Sequence, residues 1–162
     1  MTYPDPTYVG EHGTTSATIR RGGSPPDLEY RNGGTVDYLA TGAETGGQFG
    51  LYRWNFSGAV SGPDPHFHRT ISESFVILSG TVRLYDGTEW TDTHAGDFAH
   101  VPPGGIHGFR NESGEPASML LMFSPGAPRE EYFETLQRLG RGLPMTAEEK
   151  DAFFLAHDNH WI

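Results

Sequence analysis

The 162-residue chain contains no cysteine. Disulfide bonds, thiolate metal sites and a cysteine nucleophile are therefore excluded. Basic residues are also scarce, since 11 lysines and arginines stand against 21 aspartates and glutamates, for a formal net charge of -10. A nucleic-acid-binding surface needs basic side chains to replace phosphate counterions, and an anionic membrane surface attracts the same positive charge. The composition therefore predicts that neither nucleic acid nor a membrane is a partner of this protein.

Long apolar runs are absent as well. No stretch of the sequence approaches the roughly 20 apolar residues of a membrane-spanning helix. The first residues, Met1 to Pro6, have neither the basic start nor the apolar stretch of a secretory signal. These absences predict a cytoplasmic protein, and the chain length suits one domain with a hydrophobic core.

Turn-forming and aromatic residues are abundant: the chain has 22 glycines and 12 prolines, and its aromatic content is 12%. Short segments rich in β-branched and aromatic residues alternate with breakers, and Asp86-Gly87 is a tight-hairpin signal. No helical pattern lies between these segments, which excludes a parallel α/β sheet and predicts an all-β fold. The predicted strands cover residues 35–40, 48–56, 74–78, 81–85, 88–91, 97–101, 107–111 and 117–123.

The two ends of the chain differ from this middle part. Residues 1–34 are rich in breakers and predict an extended arm, packed on its own barrel or on a partner subunit. Residues 125–162 predict two helices after the strand-rich part of residues 35–124, which forms a sandwich or a barrel. The first begins at Pro128 and is capped by Gly140, and the second opens with a capping box of Thr146 and Glu149. Apolar residues at helical spacing predict core-facing stripes, with a cover over the barrel mouth or a dimer contact as alternatives.

Two short segments carry the residues for metal chemistry. His66 and His68 alternate along an extended strand, so both imidazoles point to one face about 7 Å apart. Glu73 follows after a short link and begins an apolar strand, which directs its carboxylate into the same interior. His107 follows a rigid Pro-Pro-Gly-Gly turn that aims its ring. Imidazole and carboxylate groups that converge in this way can share one divalent ion.

Taken together, these segments resemble the two motifs of the cupin superfamily. The first motif matches at His66, His68, Glu73 and Gly80, and the second matches at Gly96, Pro102, Gly104, His107 and Asn111. The family usually has a glycine where Val60 stands here, but Gly58 and Gly62 flank that position, so we expect the opening turn to be shifted. The resemblance covers about residues 35–124.

The resemblance implies a double-stranded β-helix, a jelly-roll barrel with a metal inside. It further implies that His66, His68, Glu73 and His107 hold one divalent transition metal (Fe, Mn, Ni, Co, Cu or Zn), while Asn111 serves the structure. Glu73 is also the candidate catalytic residue, because a carboxylate that loosens from the metal can act as a general base. Family habit adds the expectation of a homodimer.

Three functions agree with these residues. The first is a metal-dependent dioxygenase that acts on a small enol or aromatic-derived substrate, because the tail and Pro-Gly segment loosely resemble those of flavonol-dioxygenase-like cupins. The second is a non-redox zinc cyclase or isomerase that uses Glu73 or His100 to move protons. The third is a non-catalytic domain that binds a small molecule. The barrel fold alone does not choose among them.

The remaining histidines and the tryptophans receive more ordinary interpretations. His100 is expected to be an ordinary barrel histidine, with a place in the pocket as the alternative. Phe75 and Ile77 share strand parity with Glu73 and should face inward, which predicts an apolar site. The histidines expected to be exposed are His12, His94, His157 and His160, and the tryptophans expected to serve packing are Trp54, Trp90 and Trp161.

Overall fold

The computed structural model describes residues 2–162. Within them the chain forms eleven strands and two helices near the C-terminus. Neither helix has the length and apolar character that a membrane crossing requires. The strands are β1 (Leu28–Glu29), β2 (Thr35–Ala40), β3 (Gly50–Phe56), β4 (His66–Phe67), β5 (Ser72–Ser79), β6 (Thr81–Tyr85), β7 (Trp90–His94), β8 (Phe98–Val101), β9 (Gly108–Arg110), β10 (Ala117–Ser124) and β11 (His160–Trp161), and the helices are α1 (Arg129–Gly140) and α2 (Ala147–Ala156).

The main sheet has six antiparallel strands in the order β1-β2-β3-β10-β5-β8. Its central strand, β10, alternates strictly between the core and the outer face. Ala117, Met119, Leu121 and Phe123 are buried, while the residues between them are half-buried or exposed. The period-two arrangement of a strand therefore turns the mostly apolar run of residues 117–123 into one core face.

A second sheet of three strands, in the order β7-β6-β9, faces the first one. Phe109 of β9 lies 5.6 Å, ring centroid to ring centroid, from Phe75 of β5 and 6.2 Å from Phe56 of β3. Phe75 and Ile77 are both 1% exposed, which confirms their predicted inward orientation. The two facing sheets form the double-stranded β-helix that the sequence predicted, with its core between them.

The hairpin between β6 and β7 confirms the turn predicted at Asp86-Gly87. Gly87 has a φ of 94°, a left-handed conformation that glycine adopts without steric cost. The Asp86 carboxylate accepts hydrogen bonds from the backbone N–H groups of Thr88 and Glu89, at 2.8 and 2.9 Å. These bonds keep Thr88 and Glu89 in the turn. The strand predicted at 88–91 therefore began two residues too early and ended three residues too early, since β7 runs from Trp90 to His94.

The predicted capping of α2 is confirmed, because Thr146 and Glu149 exchange both hydrogen bonds of a capping box. The predicted bounds of α1 shift at both ends. Pro128 is the N-cap and not the first helical residue, and the helix runs through Gly140 to a C-cap at Arg141. Gly142, with a φ of 96°, is the glycine that takes the left-handed conformation after this helix.

The end of the chain forms a strand that the sequence did not predict. β11 pairs antiparallel with β4, so that His160 lies opposite Phe67 and Trp161 lies opposite His66. The C-terminus is therefore hydrogen-bonded to the strand that carries the His-x-His motif. In contrast, residues 2–27 are exposed throughout, and Leu28 is the first buried residue of the described chain.

Candidate metal centre

Four side chains predicted to bind a metal converge inside the barrel. His66 lies in β4, His68 follows that strand, Glu73 is the second residue of β5, and His107 precedes β9. One nitrogen or oxygen atom from each lies within 4.8 Å of the others. All four residues are at most 3% exposed. The structure thus brings together every residue of the predicted ligand set.

Backbone hydrogen bonds hold the two motifs against each other. The backbone N–H of His66 donates to the carbonyl of His107 at 2.9 Å, and the N–H of His107 donates to the carbonyl of His66 at 2.8 Å. Gly104, with a φ of 84°, donates its N–H to the carbonyl of His68 at 2.7 Å. The Pro-Pro-Gly-Gly turn is therefore connected directly to the His-x-His segment, so the three imidazoles depend on one small network.

The ring orientation of each histidine is set by a backbone carbonyl. Nδ1 of His66 lies 2.9 Å from the carbonyl oxygen of Asp64, and Nδ1 of His107 lies 2.9 Å from that of Gly105. Nδ1 of His68 lies 2.6 Å from the carbonyl oxygen of Asp158. A carbonyl can only accept, so Nδ1 carries the proton in each ring. Nε2 of each ring is then the atom left for a metal, the usual arrangement around ligating histidines.

Glu73 is a carboxylate in this site. Its Oε2 atom lies 2.8 Å from Nε2 of His107 and 3.2 Å from Nε2 of His68. Burial by itself would raise the pKa of Glu73, but the hydrogen bonds and positive charge of these two histidines outweigh it and hold the pKa well below its ordinary value.

The pKa values of two of the imidazoles shift in opposite directions. Burial, followed by the charge of His107, lowers the pKa of His66 to about 4, so this ring is neutral at neutral pH. Burial would also lower the pKa of His107, but the hydrogen bond and the charge of Glu73 outweigh it and raise the pKa. One neutral ring and one ionised carboxylate thus already have the protonation state that metal ligands need.

The donor set fits a divalent transition metal. Three imidazole nitrogens and one carboxylate oxygen are borderline ligands that suit iron, manganese, nickel, cobalt, copper or zinc. The donors are buried, close together and oriented from behind by carbonyl groups, and four protein ligands leave positions open on an octahedral ion. His66, His68, Glu73 and His107 are the residues that would hold the ion.

The sequence itself matches a known family in the same region. The family model described as the cupin domain matches residues 56–123, which span both motifs and all four candidate ligands. Residues 56–123 form a cupin domain. An uncharacterized protein of Aquifex aeolicus (strain VF5) is 38% identical over 61 residues. The matched residues make up 38% of this chain and 50% of that protein, so this chain spans about half the length of its relative.

Solved structures similar to this chain agree with the fold. An ectoine synthase from P. lautus matches with a TM-score of 0.59 and 13% identity, over 75% of this chain and 87% of that one. A predicted oxalate decarboxylase from Thermotoga maritima matches with a TM-score of 0.58 and 18% identity, over 67% and 99%. An RmlC-like cupin from Shewanella frigidimarina matches with a TM-score of 0.56 and 20% identity, over 72% and 96%. At these identities the similarity shows a shared fold.

A cavity of about 310 Å³ opens beside the candidate ligands His66 and Glu73. Eight aromatic residues line its other walls, and several of them belong to the segment after the barrel. Trp54 and Trp161, expected to serve packing alone, both line the cavity, and the Trp161 ring lies 5.3 Å from that of His66. Trp90 packs as predicted, with the Arg110 guanidinium 4.4 Å above its ring. The aromatic residues that line the cavity are Tyr30, Trp54, Phe109, Phe123, Tyr132, Phe133, Phe154 and Trp161.

The helical tail of the chain therefore covers the barrel mouth, which the sequence treated as an alternative to a core-facing stripe. Tyr132 and Phe133 do both, because they are buried in the core cluster and also line the cavity. Three further residues of the tail were missed by the sequence analysis, namely Arg129 and Asn159 in the cavity wall and Asp158 behind His68. They lie beyond both cupin motifs, and no local pattern marks them.

The remaining histidines divide into two groups. His12 and His94 are exposed as predicted, and His100 is exposed outside the metal cavity, with Nδ1 2.9 Å from the hydroxyl of Ser74. The prediction that His157 and His160 are exposed was wrong. Both are half-buried because the tail folds back, so that His157 packs on Phe153 and His160 stacks on Phe67.

The end of the second motif has a structural role. Asn111 is fully buried, donates a 2.7 Å hydrogen bond from Nδ2 to the carbonyl of Glu115, and accepts one from the N–H of Ser113. Its backbone pairs with Ser61, next to Gly62. Gly62 has a φ of 142°, and a Cβ there would lie 1.9 Å from the carbonyl oxygen of Phe109. The close approach that needs glycine is therefore at Gly62, two residues after Val60.

Proposed function

We propose that this cupin is a metal-dependent enzyme of the dioxygenase type that acts on a small enol or aromatic-derived substrate. The observation that carries the proposal is the position of the candidate metal ligands. His66 and Glu73 form part of the wall of a cavity of about 310 Å³ that eight aromatic side chains also line. A substrate in this cavity would contact both the metal centre and the aromatic rings.

The protein residues have distinct roles in this proposal. The rings of Trp54, Phe133 and Trp161 bind a planar substrate and keep water away from it. A redox-active ion held by the four ligands would supply the activation of dioxygen. Both histidine contacts of Glu73 go to Oε2, so Oε1 is the oxygen that these histidines leave available to take a proton from an enol or hydroxyl group.

The partners and the location of the protein are part of the same proposal. A cavity of this size suits a small-molecule substrate. The acidic composition is the reason to expect neither nucleic acid nor a membrane surface as a partner. We further propose a cytoplasmic homodimer. The mass of the full chain in solution tests the dimer, and a mass of one chain at micromolar concentration would contradict it.

Metal content is the first measurement. We expect close to one transition-metal ion per chain when untagged protein is purified without added metal and examined by elemental analysis. The variants His66→Ala and His107→Ala should lose most of this metal and keep the circular dichroism spectrum of the barrel. His94→Ala is the matched control, because His94 is exposed and far from the ligand group. Normal metal content in both ligand variants would refute the ligand assignment.

Oxygen uptake tests the dioxygenase activity. With iron, manganese, nickel, cobalt or copper bound, we expect oxygen consumption that depends on an enol or flavonol substrate and disappears with the metal. Equal turnover of a confirmed substrate with and without oxygen would exclude a dioxygenase. A chain that binds no metal even on titration would instead be a non-catalytic small-molecule-binding domain.

A non-redox zinc cyclase or isomerase is the second candidate. It is favoured by the free Oε1 of Glu73, since a carboxylate beside a Lewis-acidic ion is the group that proton transfer requires. His100, the other proton carrier considered from the sequence, lies outside the cavity and cannot serve it. Tightly bound zinc without oxygen uptake would support this candidate. Glu73→Gln should then abolish turnover and leave measurable zinc, because an amide keeps an oxygen ligand but accepts no proton.

A further inference from the structure

The cavity beside the metal centre contains a buried cation without a carboxylate partner. Arg129, the first residue of α1, is 4% exposed and forms part of the cavity wall. Its Nη1 donates to the carbonyl of His157 at 2.7 Å, and its guanidinium lies 4.1 Å above the ring of Tyr132. No salt bridge of Arg129 occurs among residues 2–162, and its Nε has no hydrogen-bond partner there.

A buried guanidinium without an anionic partner costs free energy, which a bound anion would offset. Buried polar groups are almost always hydrogen-bonded, and buried charges are almost always paired. A neutral carbonyl and aromatic faces stabilise a guanidinium, but they do not neutralise its charge. The ionised Glu73 in the same cavity does not serve as the partner, since its Oε2 contacts His68 and His107.

A second unused donor lines the same cavity. Asn159 is 1% exposed and stands between Asp158 and β11. Its Oδ1 accepts a hydrogen bond of 3.4 Å from the hydroxyl of Tyr132, the ring that also lies under Arg129. The amide nitrogen Nδ2 is then the end that carries free N–H groups, and it has no partner within residues 2–162. Arg129 and Asn159 are thus joined through Tyr132 in one wall of the cavity.

We propose that Arg129 and Asn159 bind a carboxylate group of the substrate, so that the substrate is a small organic acid with an apolar or aromatic body. The edge of the guanidinium that includes Nε offers two parallel N–H donors, which match the two oxygens of a carboxylate. The amide N–H of Asn159 adds a further donor to the same anion. The body of the acid lies against the aromatic walls, beside His66 and Glu73. Binding of the acid does not depend on the proposed function, because the carboxylate site is complete without a metal. Only the conversion of the bound acid rests on the proposed function.

A carboxylate fits these donors better than a phosphate does. Phosphate sites usually combine several charged or backbone donors, whereas this wall offers one guanidinium edge and one amide. Most of the remaining wall is apolar, which favours an anion attached to a hydrophobic body. The acid would be held at the tail wall, with its unsaturated part directed toward the barrel.

Benzoate and benzamide are the probes that test this site. They share a ring and a planar head group, but only benzoate carries a charge. Both are titrated by calorimetry against the full chain, first after removal of metal with a chelator and then after loading with zinc. We expect benzoate to bind the metal-free chain at least about tenfold more tightly than benzamide does, since hydrogen bonds to charged groups are the stronger ones.

Variants assign the binding to the two residues. Arg129→Gln should weaken benzoate binding at least about tenfold and leave benzamide binding nearly unchanged. Asn159→Asp, which is almost isosteric, should weaken benzoate binding through charge repulsion, and it keeps the test valid if the arginine variant folds poorly. Arg138→Gln is the matched control, because it removes the same charge from an exposed position of the same helix.

The outcomes separate this proposal from the proposed enzyme. Benzoate bound no more tightly than benzamide, or equally tightly by wild type and by both variants, would overturn the carboxylate site. Benzoate binding that depends on Arg129, in a chain that takes up no metal, would support the carboxylate site and refute the proposed metal-dependent enzyme. Oxygen consumption with a carboxylic-acid substrate that needs metal but is unaffected by Arg129→Gln would support the enzyme and overturn the carboxylate site.

Discussion

The two ends of this chain lie outside the cupin domain of residues 56–123, yet they differ completely in what they contact. At the N-terminal end, residues 2–27 are all exposed, and even apolar side chains such as Ile19 point away from the core, with 78% of that residue exposed. At the C-terminal end, Arg129, Tyr132, Phe133 and Asn159 are all buried. Of these two segments outside the family match, one is thus an exposed arm and the other is a wall of the candidate site.

The physical difference lies in what each segment can bury. The C-terminal tail presents aromatic rings to an open barrel mouth, and its backbone finds hydrogen-bond partners in β4. The arm is rich in glycine, proline and small polar residues, which bury too little apolar surface to offset the entropy of ordering them. A segment outside a family motif can therefore belong to the functional site when it closes a cavity that the motif leaves open.

Stability should show this contrast most strongly. Phe133 is 3% exposed and lies within 5.2 to 6.3 Å of the rings of Tyr52, Trp54 and Phe123. We expect Phe133→Ala to lower the free energy of unfolding by about 3–5 kcal/mol, because it opens a cavity in this cluster. Ile19→Ala in the arm should change it by less than about 0.5 kcal/mol. Urea unfolding measures both, and similar values for the two variants would remove the contrast.

Metal affinity should show the next largest effect. Deletion of residues 158–162 removes the carbonyl that contacts Nδ1 of His68 and the strand that pairs with His66. We expect the affinity for zinc to fall about 10–100-fold, the usual consequence of losing the groups behind the metal ligands. Deletion of residues 2–20 is the control and should leave the affinity unchanged. An equal loss in both truncated chains would show that the arm also supports the centre.

The smallest expected effect concerns the turn behind His68. The Asp158 carboxylate accepts hydrogen bonds from the N–H of Arg69 and from the N–H and hydroxyl of Thr70, at 2.7 to 3.0 Å. Asp158→Asn removes the charge and still tolerates the φ of 57° at this position. We expect a loss of about 1 kcal/mol in the free energy of unfolding, because the site is partly solvated.

Asp151→Asn, at an exposed position of α2, removes the same charge and should be neutral in the same urea titration. A matching loss in this control would mean that net charge, and not the turn, causes the effect. A larger loss of zinc affinity in Asp158→Asn than in Asp151→Asn would connect the turn to the orientation of His68.

Much of the fold could be predicted because local patterns specify it. β2 and β6 have the predicted bounds, since alternating apolar residues between breakers define both their faces and their ends. β7 begins later than predicted because the Asp86 side chain holds the preceding turn. α1 ends later than predicted because the left-handed residue after it is Gly142 and not Gly140. These two corrections depend on individual hydrogen bonds and backbone angles, which periodicity does not report.

The amino-acid sequence by itself determined the all-β character and the spacing of the two motifs, because strand periodicity and glycine-rich turns act over short distances along the chain. The resemblance of those motifs to the cupin superfamily then implied the barrel and the four side chains that meet inside it. Only the tertiary structure decided what surrounds those four side chains. Arg129, Asp158 and Asn159 reach the site from 22 to 52 residues beyond His107, and no spacing rule operates over that distance. They arrive because the tail buries its aromatic residues over the barrel mouth, and hydrophobic burial depends on the shape of the whole surface rather than on sequence neighbours.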